Sequence, residues 1–296
     1  MKARAWAPGK VIILGEHFVV HGSYAIAAAI DRGITATAEP SDKVEILSRR
    51  GNTRPIKLAV EELLKLIGEK GVRVRLRTDL PIGAGLGSSS ASAVASLKAV
   101  AKLYGYDDED EIWRLAMKSE RMIHKNPSGI DVTVSLHGGV LLYRIGERPK
   151  KLTLKRPLEL VVIYSKVGKR TAEMIKRFSS MKGKAPSYFK ALVDSCSSLI
   201  LSAVKLVEEA DYRNLATYMN VFHAILSRMG VSSRVLDRVV ELALEKGALG
   251  AKLTGGGGGG SVIAVSDDPD GLVRRLEPLG YSPFKAVLPV GGSRAW

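Results

Sequence analysis

Apolar and basic residues alternate along Val72-Arg-Val-Arg-Leu-Arg-Thr78 with a period of two. That spacing predicts a strand with one apolar and one basic face. Residues 12–20 form an apolar, β-branched run broken only by Gly15-Glu16-His17, and 140–143 and 160–164 are continuously apolar. All three read as strands. Over 88–104 the period changes: Ala91, Val94, Ala95, Ala99 and Leu103 lie near helical spacing. A second helix is predicted over 107–124. Asp107 would cap it, the acidic residues at 108–111 suit the positive end of its dipole, and Pro127 stops its continuation. The second half predicts helices at 187–209, 212–228 and 234–246, strands at 250–254 and 261–266, a helix at 270–279 and a strand at 284–288. The basic stretch 165–185 reads as a boundary or mobile loop, and no internal repeat is visible.

Composition narrows the class. The 296 residues are 46% hydrophobic and 25% charged, a globular balance. A single cysteine, Cys196, excludes an intramolecular disulfide framework and any multi-cysteine zinc site. No apolar run approaches the ~20 residues that cross a bilayer, and no apolar segment follows Met1-Lys-Ala-Arg4 as a signal peptide requires. A soluble, cytoplasmic protein is expected. The net charge is +15, and residues 144–190 carry 14 Lys/Arg against 3 Asp/Glu. Such a surface attracts polyanions. A solvated basic face is the favoured reading of it, and neither zinc-finger spacing nor interleaved aromatics point to nucleic acid.

Three constellations carry chemistry. Leu80-Pro-Ile-Gly-Ala-Gly-Leu-Gly-Ser-Ser-Ser90 joins a predicted strand to a predicted helix. Its glycines allow the backbone close to a ligand, and the free N–H groups of a helix start attract phosphate. It is neither a Walker A loop nor a G-x-G-x-x-G turn. Glu120 lies on the apolar side of its helix, where a carboxylate needs a partner or a metal, and Asp131 follows Asn126-Pro-Ser-Gly129. Together they suit Mg²⁺ ligation and proton removal. A capping aspartate and a surface glutamate are the plain alternatives. Lys10, ahead of an apolar strand, is either an ordinary surface lysine or one that neutralises developing negative charge. Glu16-His17 and His21 lack the glutamate of an H-E-x-x-H site and predict no zinc.

Over essentially its whole length the chain resembles the GHMP kinases. Ala7-Pro-Gly-Lys-Val-Ile-Ile-Leu-Gly-Glu-His-Phe-Val-Val-His-Gly22 is similar to their first motif, 81–90 to their phosphate-binding motif, and Lys252-Leu-Thr-Gly with the run to Gly260 to their third. The form of the first motif, with 119–131, resembles the members that phosphorylate (R)-mevalonate. The resemblance implies an α+β fold of two domains, 1–168 and 169–296, the first like a ribosomal-protein domain and the second ferredoxin-like. It implies ATP and Mg²⁺. Asp131 would be the base, and Lys10 would stabilise its charge and that of the reacting oxygen. Pro81, Gly83, Gly85, Leu86, Gly87, Ser88, Ser89 and Ser90 would hold the nucleotide. Ser88 or Ser89 with Glu120 would bind the metal. Glu16, His17, Thr171 and Gly256 would contact mevalonate. Members are often homodimers; no membrane or specific nucleic-acid partner is expected. Gly256 and Ser90 stand where alanine is common in the family, and Lys125 where glycine is. Phosphomevalonate, homoserine and galacto-type kinases are alternatives within the family, and a non-catalytic basic nucleic-acid-binding protein is one outside it.

Overall fold

The structure is a computed structural model that describes residues 2–49, 51–81, 83–124, 126–168 and 171–296, the side chains of 171 and 172 excepted. Eleven strands among these residues form two sheets. In chain order the elements are β1 (Ala3–Leu14), β2 (Ala25–Pro40), β3 (Glu45–Leu47), α1 (Arg54–Ile67), β4 (Val72–Thr78), α2 (Ser88–Tyr104), α3 (Glu109–Ile123), α4 (Ile130–His137), β5 (Val140–Tyr143) and β6 (Lys150–Leu152). They continue with β7 (Leu158–Tyr164), α5 (Thr171–Lys184), α6 (Pro186–Glu209), α7 (Tyr212–Arg228), α8 (Arg234–Glu245), β8 (Gly250–Thr254), β9 (Ser261–Val265), α9 (Pro269–Leu276), β10 (Ser282–Leu288) and β11 (Arg294–Ala295).

The first sheet runs β11-β1-β2-β4-β3, with β5 and β6 continuing from the far part of β2. Only the β3–β4 pairing is parallel. The second sheet runs β10-β7-β9-β8, all antiparallel. The two sheets divide between β6 and β7, so β7 belongs to the second layer although it precedes the expected 168/169 division. The last strand, β11, returns to the first layer beside β1.

Helix α2 lies across β1 and β2. Its Ala91, Ala93, Ala95 and Ala99 are buried in one core cluster with Ala5 and Ala7 of β1 and Ala28 and Ala36 of β2. Small side chains on both surfaces bring the helix close, which holds its N-terminus against β1. In the second layer α7 and α8 pack on β8 and β9.

Three readings need correction. Residues 171–184 are helical, because Met174, Phe178 and Met181 recur at helical spacing beneath the charges; Met174 and Phe178 are buried. Strand β1 ends at Leu14, and Phe18–His21 is a 3₁₀ turn rather than its continuation. Asp108, not Asp107, caps α3, accepting from the Glu111 N–H at 2.9 Å.

Candidate active site

Lys10 and Asp131 meet where three elements converge. Lys10 lies on β1, and its side chain is almost wholly buried. Asp131 lies in the first turn of α4, which starts after Gly129. The Ser135 hydroxyl on the same helix donates to the Pro8 carbonyl at 2.9 Å, tying α4 to β1. The result is an ion pair, Lys10 Nζ to Asp131 Oδ1 at 3.2 Å, with the carboxylate 28% exposed. The amine is hidden while its partner opens on solvent, which suits an acceptor that must meet a substrate proton.

The 80–87 loop closes over this pair. Lys10 Nζ also donates to the Gly85 carbonyl at 3.3 Å, and the Lys10 N–H donates to the Leu86 carbonyl at 3.0 Å. Gly87 has φ 72°, and a Cβ there would stand 2.9 Å from Lys10 Cγ and 3.7 Å from Asp131 Oδ2. Only glycine meets both the left-handed backbone and the contact. Gly87 precedes α2 and supplies no side-chain cap. The first N–H groups of a helix have no intrahelical partner, so these point outward beside Lys10. Ser88 and Ser89 are half-buried there. Leu86 is buried, Pro81 and Gly83 are half-buried, and Ile82 and Lys125 lie outside the described residues.

Glu120 on α3 is buried, as its helical position predicts. The serine against it is Ser90, whose hydroxyl donates to Oε2 at 2.7 Å. His124 Nε2 stands 3.7 Å from Oε1.

The expected acceptor-site residues divide. His17 has φ 59°, and its Nε2–H donates to the Gly256 carbonyl at 3.1 Å, joining the first motif to the glycine run. Burial pushes its imidazole down to about 4, so it is neutral at pH 7. Phe178 of α5 stands over both His17 and His21, with ring centroids 5.4 and 5.5 Å apart. Glu16 has no exposed surface on its side chain and pairs with the equally buried Lys252 of β8. Burial raises the Glu16 carboxyl and lowers the Lys252 amine, and the pair opposes both shifts. Among the described residues, Glu16 Oε2 has no hydrogen-bond partner. Thr171 begins α5, but its side chain, like Lys169 and Arg170, lies outside the described residues.

The sequence reading assigned no role to Lys252, Thr254 or Tyr143. The Tyr143 hydroxyl donates to the Ser128 carbonyl at 2.5 Å and braces the turn that leads into Asp131. Burial pushes it up to about 12. The glycine run packs on the phosphate-loop candidate: a Cβ at Gly255 would lie 2.8 Å from the Gly85 carbonyl, and the Ser261 hydroxyl donates to the Ala84 carbonyl at 2.9 Å.

A buried lysine paired with a partly open aspartate, beside a glycine-led helix start, is an arrangement suited to phosphoryl transfer onto a small molecule. The family models described as GHMP kinases N terminal domain and GHMP kinases C terminal match residues 54–139 and 203–280. The chain belongs to the GHMP kinases.

Within that family it is similar to mevalonate kinases. The mevalonate kinase of Aeropyrum pernix is 34% identical, the match covering 96% of this chain and 94% of that protein. That of Pyrococcus furiosus is 34% identical over 90% of each. The crystal structure of L. major mevalonate kinase in complex with R-mevalonate superposes with a TM-score of 0.84 at 28% identity, covering 97% of this chain and 96% of that one.

Proposed function

We propose that the protein transfers the γ-phosphoryl group of ATP to the primary hydroxyl of (R)-mevalonate. The observation that carries the chemistry is the Lys10–Asp131 pair set directly beside the N-terminus of α2. The mevalonate kinase relatives support the choice of acceptor.

The residues fit a nucleotide with its metal. The α2 start offers unpaired N–H groups to phosphate oxygens, with Gly83, Gly85 and Gly87 leaving the backbone bare around them. Glu120, with Ser88 or Ser89, would hold Mg²⁺, which is ordinarily bound by one or two carboxylates and substrate phosphates. When bound, Mg²⁺ neutralises charge on the phosphate oxygens. Ser90 orients Glu120 from behind.

Asp131 accepts the proton of the acceptor hydroxyl as its oxygen bonds to the γ-phosphorus. The bond from that phosphorus to the β–γ bridging oxygen breaks, and ADP leaves. Lys10 offsets the negative charge on the attacking oxygen and on Asp131. Transfer of this kind rests on positioning and charge neutralisation, which a buried lysine on β1 supplies. His17, and Gly256 through the carbonyl that His17 holds, shape the acceptor side with Thr171.

Among the described residues no helix is long and apolar enough to cross a membrane. The basic stretch 144–190 is shared among several elements and partly paired, Arg144 with Glu147 and Lys155 with Glu209.

An ADP-release assay with Mg-ATP against mevalonate, phosphomevalonate, homoserine and galactose tests the proposal. Turnover on mevalonate alone is expected. Turnover on another acceptor would retain the phosphate site and discard the acceptor contacts. No turnover on any would remove the proposal.

A further inference from the structure

Among the described residues, the outer edge of β1 has a strand partner only near its start, where Ala5 and Trp6 face β11. Further along, at the segment that carries Lys10, other groups take that edge. The Lys10 N–H goes to the Leu86 carbonyl. Two residues on, the Ile12 N–H donates to the Thr254 hydroxyl oxygen at 2.8 Å, and the same hydroxyl donates back to the Ile12 carbonyl at 3.2 Å. Lys252 Nζ reaches that carbonyl too, at 3.4 Å. Alternate residues of a strand share a face, so Thr254 and Lys252 project together from β8 towards β1. Both are fully buried.

Thr254 therefore does for Ile12 what a neighbouring strand would do, satisfying one N–H and one C=O, but it does so with a side chain and from the other layer of the molecule. A hydroxyl both donates and accepts through one oxygen, and among side chains of this size only threonine and serine offer that. The same residue touches the phosphate-loop side: a Cβ at Gly85 would lie 3.5 Å from the Thr254 carbonyl. Gly85 in turn accepts from Lys10 Nζ. Ile12 is two residues from Lys10 on one strand, so a shift at Ile12 moves the lysine.

We propose that Thr254 is a positioning residue: its hydroxyl sets the register of β1 against the second domain and thereby the placement of Lys10 opposite Asp131. Lys252, anchored by Glu16, supports it at the Ile12 carbonyl. The proposal rests on the kinase reading for its catalytic consequence, and on geometry alone for the contact.

The test compares Thr254→Val with Thr254→Ser and the unaltered protein, well below melting. Two quantities are read: kcat and KM with saturating partner substrate, and hydrogen exchange at the Ile12 amide. Valine preserves the shape and removes both hydrogen bonds. It should lower kcat by roughly ten- to a hundredfold, the scale of a misplacement near 1 Å, with little change in the KM for ATP. It should also accelerate exchange at Ile12. Serine should restore most of both. Thr254→Ala serves in place of valine if that variant does not fold. A valine variant with unaltered kcat and faster exchange would reduce Thr254 to a stabilising contact and overturn the proposal. An unaltered Ile12 exchange rate would overturn it at the contact itself. Absence of mevalonate turnover in the unaltered protein would count against the kinase reading alone, and the exchange comparison would still decide the contact.

Discussion

Lys10 reaches Asp131 across 3.2 Å with its own amine sealed from solvent and the carboxylate partly open. The asymmetry suits the proposed roles, in which the lysine is a fixed charge and the aspartate is the group that would meet the acceptor.

Replacing Asp131 with asparagine keeps the shape of the side chain and removes the base. Turnover should fall on the order of 10²–10⁴-fold. ATP affinity by calorimetry should stay within about twofold, since the α2 start is untouched. Full turnover in this variant would remove Asp131 from the mechanism.

Lys10→Met leaves Asp131 without its cation and the developing oxyanion without a counter-charge. A fall in kcat of at least ~10²-fold is expected, on the scale of losing one preorganised electrostatic contact. A variant with normal kcat and a raised KM for ATP would make the lysine a nucleotide contact instead.

Gly87→Ala places a Cβ 2.9 Å from Lys10 Cγ on a backbone at φ 72°. The left-handed conformation alone costs about 1–2 kcal/mol, and the contact displaces Lys10. Loss of activity should exceed loss of stability: melting should fall by several degrees while kcat falls at least tenfold. Equal activity in the alanine variant would show that the loop moves freely.

Ser90→Ala removes the hydroxyl that orients Glu120. A hydrogen bond to a charged group contributes about 1.5–3 kcal/mol. The expected signature is a higher Mg²⁺ concentration for half-maximal velocity, with the KM for mevalonate unchanged. An unchanged Mg²⁺ dependence would separate Glu120 from the metal.

Burial lowers the His17 imidazole from 6.5 to about 4. Between those values the unfolded chain takes up a proton that the folded chain refuses. The contribution to stability is whole above about pH 6.5 and is lost as pH falls towards 4, by about 3 kcal/mol. Asparagine tolerates positive φ and stays uncharged over this range, at the cost of the bond to Gly256. Unfolding of His17→Asn between pH 4 and 7 should therefore show a shallower pH slope than the unaltered protein. Parallel slopes would place the titration elsewhere.

Local patterns in the chain determined much of this. The helix at 88–104 is legible from its own spacing, and the glycine–serine segment before it announces an anion site, because both depend on neighbours in sequence. The amphipathic spacing of α3 likewise places Glu120 inward. Strand β2 is buried on both faces where it carries Ala25 to Ile30, so no alternation marks it. Helix α5 was hidden because its many charges masked three apolar residues at helical spacing.

What the tertiary structure alone decided are the pairings between distant segments. Lys10 and Asp131 are 121 positions apart, and Glu16 with Lys252 and Ile12 with Thr254 span more than 230. No local pattern records such pairs. Which serine turns to Glu120, and which residue of the second layer satisfies the open edge of β1, depend on how two sheets and α2 pack together. Packing is a property of summed shape and burial rather than of spacing along the chain.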